Sequence, residues 1–519
     1  MIALLAQSES STTHVRYWPT SQSVKANSVF ARSDINSPIK LPNAYTRGSN
    51  LNIDIAFKTA LELSRAIATK QVSPVEVMQA TLARSEMLEP QLNCFATYAP
   101  ELAMAAAKQA EQDLMAGKAV GSLHGVPISV KDLIAVKDVK LGFGSRAMSG
   151  NVASVDAPSV ERVRTAGACI IGKTTTSEFG CKAVGDSPLT GITRNPWDTT
   201  KTPGGSSCGA AASVAAGITS LALGTDGGRS IRVPASLSGV FGIKAHFGRV
   251  PVYPVSATPT LAHVGPITRT VRDAALLLSV ISGHDRRDPF AIDGPVPDYL
   301  EACNRPVKGM RIAWSRTLGY AKPDPEVADI AERAAKVFID LGCEVVEIEK
   351  ILDQDPIDLW ASEFYAGVGV RLKHQLTEQR DILDPAVADV LKDALSQTSE
   401  EYYSNVFRRY ELRDKVRLFF EQFDLLLTPT LPSAAFDVGL NTPPILPDRN
   451  IVSWVYYTYP FNLTGQPAAS IPAGFTRAGL PVGLQMVAKI NRETDIFRAA
   501  AAFETAKPWA AAKPPGFAS

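Results

Sequence analysis

The stretch from residue 203 to 250 constrains the fold more than any other, because it is unusually rich in small residues. It begins PGGSSCGAAASVAAG and continues through ALGTDGGRSIRVPASLSGVFGIKAHFGRV. Glycine, alanine and serine at this density belong where two pieces of backbone must approach closely. Gly204, Gly205, Ser206, Ser207, Cys208 and Gly209 can make a tight loop, and the alanine-rich run from 210 to 216 a helix thin enough to lie against a sheet. A second loop, from Thr225 to Ser230, follows an apolar strand and leads into SIRVPASL. A serine on such a loop exposes its hydroxyl beside several backbone N–H groups, which is the geometry an oxyanion hole requires.

Around this stretch, short apolar runs alternate with helical ones. The runs at 126–130, 168–172, 221–224, 310–314, 344–348, 425–427 and 468–471 read as strands. The rhythm predicts an α/β fold with a mixed central β-sheet covered by helices on both faces. Helical spacing of apolar residues from 55 to 86, interrupted by the start signal Ser73-Pro74, predicts two helices, and an Ala-rich run predicts another over 101–115, ending at Gly117. With 519 residues the chain forms either two domains or one large α/β domain. Residues 1–50, rich in Ser, Thr, Asn and Pro, read as a polar N-terminal arm, extended or wrapped on a partner protein, and 511–519 as a C-terminal tail. Charged, helix-type sequence at about 320–460 reads as helical insertions and a lid on the same sheet, setting the shape of the substrate pocket together with Trp454, Tyr456, Tyr457, Tyr459 and Phe461.

Composition excludes several classes of function. Lys plus Arg number 53 against 52 Asp plus Glu, with no basic block interleaved with aromatics, so neither nucleic acid nor an anionic membrane has electrostatic support as a partner. The six cysteines are dispersed without a C-x-x-C pair, which argues for reduced thiols rather than a disulfide framework or structural zinc. The apolar stretch at residues 2–6 lacks a basic flank and is too short for a signal peptide or a span, giving a cytoplasmic address. The six histidines show no metal-ligand spacing, so no metal is expected.

A serine attacks an amide only when a base takes its proton. Lys131, in the apolar run HGVPISVKDL, is a candidate: burial lowers a lysine's pKa and can leave it neutral. The plainer alternative pairs Lys131 with a carboxylate near Asp132 and leaves the serines as helix caps. A third pattern, Gly205-Ser206-Ser207-Cys208-Gly209, matches the G-x-S-x-G nucleophile elbow of esterases with Ser207 as nucleophile, but the polar segment before it is not the strand that an elbow needs.

LHGVPISVKD, PGGSSCGAAASVAAG, GTDGGRSIRVPASLSGVFGIK, NLTGQPAASIPAGF and GLPVGLQMVA together resemble the amidase signature family, from about residue 55 to 510. The resemblance implies an amidase signature domain over 51–510 with a Ser-Ser-Lys triad. Ser230 would be the nucleophile, Ser206, on a cis peptide, the proton relay, and Lys131 the base. The N–H groups of Gly227, Gly228, Arg229 and Ser230 would form the oxyanion hole. It implies a small-molecule amide substrate, no cofactor, and release of ammonia or an amine; a homodimer stays open. Asp226 would brace the loop, and Arg232 would be structural. Two residues depart from the family, which usually has Gly at the positions of Cys208 and Arg229. Cys208 reads as a packing residue. Arg229 either projects into the acyl pocket or turns into the protein to pair with an acid, and it strains the loop if that position needs positive φ. The alternatives are a glutaminase-type subunit of a tRNA-dependent amidotransferase, an esterase or carbamate hydrolase on the same triad, and a binding protein whose site Arg229 has blocked.

Overall fold

A computed structural model gives the fold of residues 55–517. The polar arm expected over 1–50 and the last two residues of the tail lie outside the described residues.

In chain order the strands are β1 (Phe95–Tyr98), β2 (Pro127–Lys131), β3 (Cys169–Thr174), β4 (Asp186–Ser187), β5 (Gly191–Ile192), β6 (Leu221–Thr225) and β7 (Phe241–Lys244). They continue with β8 (Val264–Thr268), β9 (Arg311–Trp314), β10 (Glu344–Glu347), β11 (Leu425–Pro429), β12 (Ala468–Phe475) and β13 (Pro481–Ala488). Among the described residues, eleven of these form one sheet in the order β1-β3-β2-β6-β8-β7-β12-β13-β11-β9-β10, while β4 and β5 pair separately. β2 runs parallel to both β3 and β6, and β9 parallel to both β10 and β11; from β6 across to β11 the pairing is antiparallel. This is the mixed α/β sheet that the apolar rhythm predicts.

Alternation along the strands sorts side chains between two faces. On β6, Leu221 and Leu223 enter the main core with Ile128 and Val130 of β2 and the helices Val271–Ile281 and Glu493–Ala506. Ala222, between them, faces the opposite layer with Ala210, Ala211, Val214 and Ala235. That layer holds the helices Cys208–Ala215 and Arg232–Ser238, whose small residues let them lie close to the sheet. Gly209 shows how close: a Cβ there would sit 2.1 Å from the carbonyl oxygen of Cys94.

The two N-terminal helices are Ala60–Ala68 and Pro74–Leu92, the second opened by a capping box between Ser73 and Glu76. The Ala-rich helix is Pro100–Met115, followed by Gly117 at φ +69°. Within 320–460, β10 and β11 belong to the sheet, and the helices Ile357–Arg371, Lys373–Glu378, Pro385–Ala394 and Ser399–Phe419 lie between them. No helix among the described residues is long and apolar enough to cross a membrane.

Candidate active site

β2 and β6 are parallel neighbours, and each delivers a polar side chain from its C-terminal end: Lys131 from β2 and Thr225 from β6. Such strand ends are where α/β sheets open toward ligands. Lys131 Nζ lies 2.6 Å from Ser206 Oγ and 2.9 Å from Thr225 Oγ1, and the lysine is fully buried. Burial pulls its pKa down to about 7, helped by the positive charge of Arg229 and opposed by Cys208 and Asp226. The plainer pairing of Lys131 with Asp132 is not what the structure holds. Asp132 instead pairs with Lys173 of β3, 3.1 Å away and equally buried.

Ser206 and Ser230 sit on the two small-residue loops. The Gly205–Ser206 peptide is cis. The loops are tied together by the Ser207 N–H, which donates to the Ser230 carbonyl at 3.2 Å. Ser206, Thr225 and Ser230 line one cavity of about 490 Å³. The Ser230 side chain makes no hydrogen bond among the described residues, leaving its hydroxyl free toward a ligand. Ser207, the elbow alternative, does not line the cavity; its hydroxyl donates to the Thr225 carbonyl at 3.3 Å and it is fully buried.

The second loop is fixed by Asp226. Its carboxylate takes two hydrogen bonds from Arg232, each 3.0 Å, and one each from the Gly228 and Ile231 N–H groups and from Asn462 Nδ2. Burial raises the pKa of such a group, but the Arg232 pair outweighs it and holds the carboxyl well below the usual range. One member of the expected oxyanion set is thereby committed: the Gly228 N–H points 3.1 Å to Asp226 Oδ1. The N–H groups of Gly227, Arg229 and Ser230 have no partner among the described residues and remain as donors.

Arg229 follows neither course expected for it. It is fully buried, absent from the cavity wall, and not at positive φ. Nor does any carboxylate pair with it among the described residues. Its guanidinium stacks over Trp360 at 5.2 Å and Phe364 at 5.9 Å and donates to the Gly180 carbonyl at 3.3 Å. Cys208, the other departure, opens its helix as a packed thiol donating to the Thr175 carbonyl at 3.3 Å. All six cysteines are free and buried.

The cavity wall corrects one further expectation. Trp454, Tyr456, Tyr457, Tyr459 and Phe461 are core residues with at most 1% exposure, packed beneath the helices rather than facing the cavity. The wall is built from Leu133, Phe143, Met148 and Phe179, from the segment 251–258 with its cis Tyr253–Pro254 bond, and from Phe364, Val368 and Leu372 of the helical insertion. Phe143 and Phe179 stack on each other, their centroids 6.1 Å apart. His263 also lines the cavity, but both ring nitrogens are engaged: Nδ1 lies 2.7 Å from the Leu261 carbonyl and Nε2 3.2 Å from Lys244 Nζ. Among the described residues no group of three or more His, Cys, Asp or Glu side chains is placed to hold a metal ion.

Comparison with known proteins gives the family and the fold. A family model described as Amidase matches residues 76–497. An acylamidase from Rhodococcus erythropolis is 35% identical over 464 residues, covering 88% of this chain and 97% of that protein. One of the subunits of the glutamyl-tRNA(Gln) amidotransferase of Geobacter metallireducens is also 35% identical, over 476 residues, with 87% and 97% covered. The crystal structure of a bacterial aryl acylamidase of the amidase signature enzymes superposes with a TM-score of 0.82 at 31% identity, covering 88% of this chain and 97% of that one.

Proposed function

Since this chain belongs to the amidase family, a family of hydrolases acting on carbon–nitrogen amide bonds, we propose that it hydrolyses a small-molecule amide through an acyl-enzyme on Ser230. The observation that carries this reading is the buried Lys131, unpaired with any carboxylate among the described residues and 2.6 Å from Ser206, beside the cavity that Ser230 lines.

The steps follow from proton bookkeeping. Ser230 Oγ attacks the amide carbonyl while its proton passes to Ser206 and that of Ser206 to neutral Lys131. The tetrahedral oxyanion forms against the N–H groups of Gly227, Arg229 and Ser230, each such donor being worth about 3 kcal/mol in the transition state. The relay then runs backwards and protonates the departing nitrogen, which leaves as ammonia or an amine. Water attacks the Ser230 ester by the same relay and releases the carboxylic acid. No step calls for a cofactor.

The largely apolar wall favours a substrate with an aryl or aliphatic body. This is consistent with likeness to an acylamidase and an aryl acylamidase. The similarity to the amidotransferase protein supports a second reading, in which the chain releases ammonia for a partner protein. One experiment separates the two and tests the first. Purified chain is given a panel of aliphatic amides, aryl amides, carbamates and esters, with product detection by mass. Turnover without any added protein, abolished in Ser230→Ala, supports the amidase reading. Persistence of activity in Ser230→Ala, or activity that requires an added partner, counts against it.

A further inference from the structure

A buried cation without a counter-charge is costly, and a folded protein retains one only where the surroundings hold it in place. Arg229 is such a group. Its side chain is fully buried one residue before Ser230, and its Nε has no hydrogen-bond partner among the described residues. The one acid on its own loop, Asp226, is taken by Arg232 at 3.0 Å through both oxygens. What holds Arg229 is the aromatic pair Trp360 and Phe364, stacked on each other at 4.4 Å, together with the Gly180 carbonyl. Ring faces attract a guanidinium without neutralising it, so its positive field reaches the neighbouring site largely undiminished.

Resting on the amidase reading, the geometry points to Arg229 as a positioning residue that acts by charge: a fixed, uncompensated guanidinium behind the oxyanion loop that favours negative charge on the tetrahedral species and disfavours a second positive charge on Lys131. Its side chain is not part of the cavity wall and so does not select the substrate.

The charges acting on these two groups come from every side of the site. Lys131 feels Cys208 at the start of its helix and Asp226 and Arg229 on the second loop, while the neighbouring Asp132 and Lys173 form a pair of opposite charges. Arg229 feels Tyr365 of the helix Ile357–Arg371, Cys181 beyond the Gly180 turn, and Asp226. Burial lowers the affinity of Arg229 itself for its proton, yet a guanidinium starts so high that it stays charged. Of the charged side chains acting on Lys131, Arg229 opposes a lysine ammonium and Asp226 favours it; Cys208, its thiol raised by burial, is neutral at neutral pH.

The test compares wild type, Arg229→Met and Arg229→Lys on one neutral amide across pH 5–10, and measures inhibition by a trifluoromethyl ketone, which Ser230 would convert to an anionic hemiketal. In Arg229→Met the acid limb of kcat/KM should move up by about half a pH unit or more. On the plateau, kcat should fall about ten-fold or more, and ketone affinity should fall with it while KM changes little. Arg229→Lys puts a lysine into the same apolar pocket, where burial drives it toward the neutral form, so its limb should move in the same direction as that of Arg229→Met and no further. A folded Arg229→Met with an unmoved limb and undiminished ketone affinity would overturn the proposal. If Arg229→Met does not fold, Arg229→Gln, neutral and of similar length, decides in its place: an unmoved limb with undiminished ketone affinity overturns the proposal, and a limb displaced upward supports it. Failure of the amidase reading would look different, as turnover that survives Ser230→Ala.

Discussion

Trp360 donates its indole N–H to the carbonyl oxygen of Gly227 at 2.8 Å, joining a helix of the 320–460 region to the loop that carries Ser230. The contact is tight on both sides, since a Cβ at Gly228 would lie 2.5 Å from the same indole nitrogen. Trp360→Phe keeps the ring stack and loses the hydrogen bond, a loss of about 0.5–1.5 kcal/mol. The expected outcome is a several-fold fall in kcat with KM nearly constant. Gly228→Ala must displace either the loop or Trp360 and should cost more than Trp360→Phe; steady-state kinetics on the two variants checks the order.

On the proposed mechanism Lys131, as the base, sets the pH profile. With the pKa of Lys131 held down to about 7 by burial, the ammonium form dominates at pH 6 and the neutral form above the pKa. Activity should therefore climb about ten-fold per unit below pH 7 and level off above it. A kcat/KM that declines from pH 6 to pH 9 in folded protein would contradict a neutral lysine.

Lys131, Ser206 and Ser230 should behave as a unit. On the proposed mechanism each alanine variant removes a link in the same proton path, so Ser230→Ala should abolish turnover and Lys131→Ala should cost several orders of magnitude. Ser206→Ala should cost somewhat less if water stands in for the hydroxyl, and Lys131→Ala combined with Ser206→Ala should cost much less than the product of the two. Single-turnover rates on the same substrate test this.

Asp226 and Arg232 are both fully buried and doubly hydrogen-bonded. Asp226→Asn leaves the guanidinium uncompensated and should lower the unfolding free energy by about 3–5 kcal/mol. Equilibrium denaturation in urea would read this directly, provided that the transition is two-state.

Phe179 should matter for substrate shape rather than for chemistry. It lines the cavity and stacks on Phe143. Phe179→Ala should weaken kcat/KM for aryl amides relative to short aliphatic ones by about 0.5–1.5 kcal/mol, the scale of an aromatic pair. Equal losses for both substrate types would remove Phe179 from recognition.

The seven strands legible in the sequence are those whose apolar runs are bounded by polar or turn residues, such as β2, β6 and β11. Of the six among the described residues that escape it, three are marked by what obscures them. β8 contains Gly265-Pro266, β7 is four residues inside a glycine-rich stretch, and β13 begins at Pro481, all features that lower strand propensity until neighbouring strands impose the conformation. Lys131, Ser206 and Ser230 are singled out by the motifs that resemble the amidase signature family, since their residue types alone leave the helix-cap alternative open. Thr225 can be found with them, as the last residue of a strand whose parallel neighbour ends in Lys131. Trp360, Phe364 and the 251–258 wall cannot, since their approach to the site depends on chain segments more than a hundred residues apart or on loop paths without periodicity. The aromatics at 454–461 mislead for a related reason: a ring that fills a core and one that faces a ligand have the same composition.

The burial of all six thiols has a practical consequence for covalent chemistry. Burial pushes the Cys169 and Cys303 thiols up to about 12 and raises the other four. Thiolate, the form that reacts with electrophiles, is therefore scarce in the native protein at neutral pH. A fluorophosphonate probe, which is selective for activated serines, and a cysteine alkylating agent can therefore be used side by side on the same sample: the first counts competent serine nucleophiles in folded chain, and cysteine alkylation, appearing only on unfolding, reports the fraction of molecules that have lost their structure.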